Sequence, residues 1–287
     1  SHPEIDVNIP EKSEKLYQTA LYLAVELENI EIIKVLLSHQ NIDVNKYCKV
    51  SYNEYYISKR TSLSLAVELG RYDIVELILE NGSVDINKMN LFSLLNSSLF
   101  GAEQKTLLYI AVENKNLEVV KVLLKNKDID VNALSYIYRD NGDFDYESNI
   151  DDRYVDFTLY KSTKTALHIA VQNQLVEYVE LLLSDPRTDA SIQRETYSET
   201  WSSGSTDYDA GINEVDLYNI YKGGIESSSS VFNIALDNND NEMFKFLLSH
   251  PKIDVNNISQ TILHSAVYKR NVEIVKLLLS NPKIDVN

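Results

Sequence analysis

Five histidines, one cysteine and 43 carboxylates are the residues of this 287-residue chain best suited to chemistry. A histidine beside a hydroxyl or carboxylate would make a general base, and His, Cys, Asp or Glu at short spacing would hold a metal ion. Neither pattern forms. His2, His39 and His250 share one context, SHPEIDVN, SHQNIDVN and SHPKIDVN, while His168 and His264 share another, TALHIA and TILHSA. A residue that recurs with the chain's own period is explained by that period first, so each histidine reads as a helix cap or a solvated turn. The sequence holds no GxSxG, HExxH or phosphate-binding glycine loop. Cys48 stands alone, which rules out an internal disulfide framework or a cysteine-based metal cluster and favours a reducing compartment, the cytoplasm. No catalytic residue, metal or cofactor is expected.

The net charge of −16 repels a nucleic-acid backbone and an anionic membrane surface. No apolar run is long enough to span a bilayer. A protein partner with a basic surface fits the balance better. Eight glycines and five prolines are few for this length and argue for helices over an all-β fold.

The elements that would position any site are set by a repeat. The phrase IDVN occurs at 5–8, 42–45, 129–132, 253–256 and 284–287, with VDIN at 84–87. Counting back from these phrases gives six gapless units of 27 residues, at 19–45, 61–87, 106–132, 165–191, 230–256 and 261–287, after a partial tail at 1–8. A Thr or Ser opens each unit and would cap a first helix. Ala24, Ala66, Ala111, Ala170, Ala235 and Ala266 share one slot, where a small side chain admits a neighbouring helix. A second helical pattern follows, as in Ile32, Val35, Leu36 and Leu37. Two short antiparallel helices and an extended tail cannot bury themselves alone, so the units must stack.

The frame resembles the ankyrin repeat, whose T-P-L-H-x-A signature is visible in TALHIA (165–170) and TILHSA (261–266). The family's Pro after Thr is missing throughout, and its Gly between the helices survives only as Gly70. Glu28, Lys115, Gln174, Asn239 and Arg270 stand in the other units. If that slot keeps a left-handed backbone, each costs about 1 kcal/mol. The resemblance implies an all-α solenoid of 1–287, built of six helix-turn-helix units with hairpin fingers, whose fingers and adjoining concave groove bind proteins.

The fingers depart most from the family. Only 257–260 is short; 46–60, 88–105, 133–164 and 192–229 are enlarged, and hold thirteen of the nineteen tyrosines and the lone Trp201. Repeated insertion at one position maps to one edge of a solenoid. The first insert carries Tyr52, Tyr55 and Tyr56. In the second, Leu91, Leu94, Leu95 and Leu99 predict a short helix capped by Asn90 and closed by Gly101. In the third, SYIYRD, Asn141-Gly142 and a second alternating run predict a tight hairpin with Tyr136 and Tyr138 on one face. Asp143, Asp145 and Glu147 begin like a calcium loop, but Ser148 and Tyr154 occupy the positions where such a loop needs Gly and Glu, so the stretch reads as a solvated acidic loop. The fourth predicts a helix over 213–222, with Trp201, Tyr208, Tyr218 and Tyr221 near one another.

Tyrosine brings large contact area at little rotamer cost. Tyr52, Tyr55, Tyr56, Tyr136, Tyr138, Tyr154, Trp201, Tyr208, Tyr218 and Tyr221 are therefore the candidate partner-binding residues. The first two inserts carry net +4 and the last two net −8, so a basic partner surface would face 133–164 and 192–229. The expected function is a non-enzymatic protein-interaction scaffold, monomeric unless its end units associate. The competing readings are a structural spacer in a longer array and the recognition arm of a larger effector. A chain that opens in one unit's tail and closes on another's is expected to continue in a longer array.

Overall fold

The computed structural model of the chain describes residues 6–12, 16–53, 56–94, 101–140, 156–202, 225–253 and 261–281. Thr19, Thr61, Thr106, Thr165 and Ser230 each accept a backbone N–H three residues on, at 3.1–3.4 Å. They cap the first helices of successive pairs: α1 (Ala20–Glu26) with α2 (Ile30–Leu37), α3 (Ser62–Glu68) with α4 (Tyr72–Leu79), and α5 (Leu107–Glu113) with α6 (Leu117–Lys125). Next come α7 (Ala166–Gln172) with α8 (Val176–Ser184) and α9 (Val231–Asp237) with α10 (Asn241–Ser249). The final pair is α11 (Thr261–Tyr268) with α12 (Val272–Ser280). Each pair turns on one left-handed residue: Glu28, Gly70, Lys115, Gln174, Asn239 and Arg270 have φ between 54° and 71°.

The pairs stack. All six slot alanines are buried, and one slot on the second helix shows what stacking does. Ile74 and Val119 are fully buried there, whereas Ile32, on the first described pair, is 46 % exposed.

The tails add a second bond between units. Asn8 donates to the Asn41 carbonyl and accepts the Asp43 amide, both at 2.7 Å. Asn45 does the same to Ser83 and Asp85, Asn87 to Asp128 and Asp130, and Asn132 to Arg187 and Asp189, all at 2.7–2.8 Å. Ser191 breaks the ladder, because its hydroxyl turns back to its own Asp189 at 2.6 Å. At that break lies a cavity of about 460 Å³ lined by Ser191, Gln193, Phe232 and Lys252 among others.

The fold is not all-α. Ten strands form one continuous antiparallel sheet in chain order: β1 (Glu11–Lys12), β2 (Leu16–Gln18), β3 (Cys48–Asn53), β4 (Tyr56–Arg60), β5 (Asn90–Leu94), β6 (Gly101–Lys105), β7 (Ser135–Asp140), β8 (Asp156–Lys164), β9 (Arg194–Ser202) and β10 (Ile225–Ser229). Lengthened fingers leave a row of backbone N–H and C=O groups on each flank, and the neighbouring finger satisfies them. The helix expected from Leu91, Leu94, Leu95 and Leu99 is contradicted where it would start and stop: 90–94 and 101–105 are paired strands, while Leu95 and Leu99 lie outside the described residues. Asn90 caps no helix there; its side chain instead accepts the Thr61 amide at 3.5 Å. The tight hairpin at Asn141-Gly142 is also corrected. Asp140 pairs with Leu159, so the partner of β7 is 156–164, not 143–147. The helix expected over 213–222 lies outside the described residues.

Candidate functional site

The sheet has two chemically different faces. On the inner face, the last residues of β4, β6 and β8 each precede a helix cap and reach the end of that helix. Arg60 pairs with Glu68, Lys105 with Glu113 at 2.8 Å, and Lys164 with Gln172 at 2.7 Å. Arg60 is 4 % exposed, and burial raises the Glu68 pKa although Arg60 opposes the shift. Burial also works against the Lys105 charge, but Glu103 and Glu113 hold its pKa above the usual lysine value. Val50 and Ile137 join the helical core, and Phe92 packs on it. The first helices of the middle units are consequently buried on all sides: Ser62, Leu65, Leu107, Ile110, Ala166, Ile169, Val231 and Ile234 have almost no exposed surface. The concave groove expected beside the fingers is closed there.

Of the catalytic-looking residues, Cys48 and His168 belong to this inner layer. Cys48 accepts the Thr19 amide at 3.4 Å, and Ser135 accepts the Thr106 amide at 3.1 Å. Burial pushes the Cys48 thiol up, away from the nucleophilic thiolate. In the fourth unit His168 Nδ1 takes the corresponding amide, of Thr165, at 3.1 Å and completes a capping box. Its pKa is pushed down to about 4, by burial first and then by Arg194 and Lys164. Among the described residues no group of three or more His, Cys, Asp or Glu is placed to hold a metal ion, and no helix is long and apolar enough to cross a membrane.

The outer face carries the exposed chemistry. Tyr138 pairs with Lys161, and Lys161 with Tyr197, so three neighbouring strands set these side chains in one row. The Lys161 ammonium lies 4.6 Å from the Tyr136 ring centroid, 5.8 Å from Tyr138 and 6.0 Å from Tyr197. The Tyr197 hydroxyl donates to the Glu195 carboxylate, which raises its pKa. Towards the first finger the same face presents Tyr17, Lys49 and Lys59, with Lys49 directly opposite Lys59.

Of the candidate contact residues, Tyr136 and Tyr138 share this face, half-buried. Tyr52 and Tyr56 lie on β3 and β4, and Trp201 on β9 opposite Phe157. Tyr55, Tyr154, Tyr208, Tyr218 and Tyr221 lie outside the described residues, as do Asp143, Asp145 and Glu147. Lys161 and Tyr197 were not among the expected residues. The alternating YIY of 136–138 was the available signal for the face, but only the register between separate inserts brings Lys161 and Tyr197 to it.

A family model described as ankyrin repeats (3 copies) matches residues 3–90, 104–195 and 211–287. No curated protein matches the chain. Among solved structures it is similar to the crystal structure of EF0377, an ankyrin-repeat protein. The TM-score is 0.51 at 17 % identity, covering 91 % of this chain and 96 % of that one.

Proposed function

Since the chain belongs to the ankyrin-repeat family, whose repeats are generally non-enzymatic protein-interaction modules, we propose that it is a scaffold that binds a protein through its enlarged fingers. The observation that carries this reading is the outer sheet face, where Tyr136, Tyr138 and Tyr197 surround Lys161. A sheet whose inner face closes the groove leaves its outer face as the broad surface offered by the fingers. Rigid aromatic side chains on paired strands are pre-organised for contact, which lowers the entropic cost of binding. The lone Cys48 favours a cytoplasmic setting, and the net charge of −16 favours a polypeptide partner over nucleic acid.

The test is to replace 133–164 and 192–229 with the four-residue NISQ loop of 257–260, then compare captured proteins and thermal stability. Loss of captured partners with stability retained supports binding by these fingers. Unchanged partners with a large stability loss would show that the fingers only brace the stack.

A further inference from the structure

The six helix pairs share one gapless frame, so each slot at the junction between pairs can be compared along the stack. Two apolar slots are buried in five units and bare in one, at opposite ends. Val25, Val67, Val112, Val171 and Leu236 are buried, whereas the matching Val267 of α11 is 59 % exposed. Ile74, Val119, Tyr178, Met243 and Ile274 are buried, whereas Ile32 of α2 is bare. The first slot is therefore covered by the pair that follows it, and the second by the pair that precedes it. The α11–α12 pair presents one half of the junction, and the α1–α2 pair presents the other.

The neighbouring slots match as well. Across the junction of the last two pairs, Lys245 meets Glu273 at 2.6 Å and Lys269 meets Asp237 at 3.0 Å. In the frame Lys276 takes the Lys245 slot and Glu31 the Glu273 slot, and both are exposed. Glu31 touches Lys34 of its own helix at 3.4 Å, as Glu242 touches Lys245. The second ion pair changes on both sides together: Tyr268 takes the Asp237 slot and Leu27 the Lys269 slot. Both are exposed, so an apolar residue waits on each face where the inner junction has opposite charges.

We propose that a second copy of this chain covers these faces: α11–α12 of one copy docks on α1–α2 of the next, as each pair docks on its neighbour within the stack. Val267 and Ile32 become buried, Tyr268 meets Leu27, and Lys276 meets Glu31. The two faces differ, so every complex keeps one free face of each kind and grows as an open, linear oligomer. Asn8 already holds the Asn41 carbonyl and the Asp43 amide, the place to which the frame assigns the neighbour's IDVN tail, so that tail gives way on docking. One helix pair on another, without a shared tail or strand, is a small interface, so association is expected at about 100 μM and monomers at about 1 μM.

The test is analytical ultracentrifugation of the whole chain over that concentration range. The mass should rise from that of one chain past that of a dimer. Ile32→Asp and Val267→Asp, both at exposed positions, each spoil one face, and each variant alone should stay monomeric. Mixed in equal amounts they should form a dimer and nothing larger, because each still offers the face that the other lacks. Glu31→Lys should weaken association about threefold or more, and adding Lys276→Glu to the same chain should restore it. A parent chain that stays monomeric, or stops at a dimer because like faces pair, would overturn the proposal. So would an Asp variant that associates like the parent, or a mixture that stays monomeric. Should an Asp variant melt lower than the parent, the Glu31→Lys chain and its Lys276→Glu partner decide, and weakening without restoration overturns the proposal.

Discussion

Asn45 and Asp85 are forty residues apart, yet the Asn45 side-chain oxygen accepts the Asp85 amide at 2.7 Å while its amide group donates to the Ser83 carbonyl. The recurring IDVN phrase is therefore a clamp: its Asn holds the next tail by two bonds, and its Asp accepts the Asn backbone amide at 3.0 Å to shape the turn. The repeat's most constant words carry adhesion between units.

Breaking one clamp should loosen one interface. Asn87→Ala removes the bonds to Asp128 and Asp130 and should cost about 1–3 kcal/mol. Ser191→Asn, at the ladder's break, should stabilise by up to about 1 kcal/mol by reaching the Lys252 carbonyl. Chemical denaturation of both variants checks the signs, which must be opposite.

The left-handed turns give a second pair of opposite signs. Lys115→Gly and Gln174→Gly should each stabilise by roughly 0.5–1 kcal/mol, because glycine tolerates φ near 59°. Gly70→Ala should destabilise, since its Cβ would meet Asn116 Oδ1 at 2.9 Å as well as an unfavourable φ. Melting temperatures of the three variants decide it.

One slot should have two costs. Ile74→Ala empties a fully buried position and should cost about 2–4 kcal/mol, whereas Ile32→Ala in the corresponding slot of the first unit should cost about 1 kcal/mol or less. Equal costs would mean that the exposed end is covered in solution.

Stability should also depend on pH through His168. Its folded pKa, about 4, lies below the unfolded value of 6.5, so the unfolded chain binds more protons between those limits. The neutral, buried ring therefore favours folding above pH 6.5, and this contribution is lost as pH falls towards 4, up to about 3 kcal/mol. His168→Asn keeps a capping box like that of Ser230 and Asn233 and should flatten this part of the pH–stability curve.

Much of the helical frame was legible because its signals are local: a Thr cap, a buried Ala and a turn residue each act within a few positions. The left-handed state of Glu28 and Arg270 could be read from their place in the frame alone. The strands at 90–94 and 101–105 could not. Leu91, Leu94, Leu95 and Leu99 satisfy helical spacing, and what overrides it is the pairing of β5 with β4 and of β6 with β7. The row Tyr138–Lys161–Tyr197 was hidden for the same reason, since it depends on register between segments more than twenty residues apart.

The central claim is that the outer face of the sheet meets the partner. The most direct measurement places a photo-crosslinking benzoylphenylalanine at Tyr138 and, in a separate chain, at Glu177, exposed on α8. The account predicts one protein adduct from position 138 in the native cell extract and none from 177. An adduct from 177 alone, or none from 138, would contradict it.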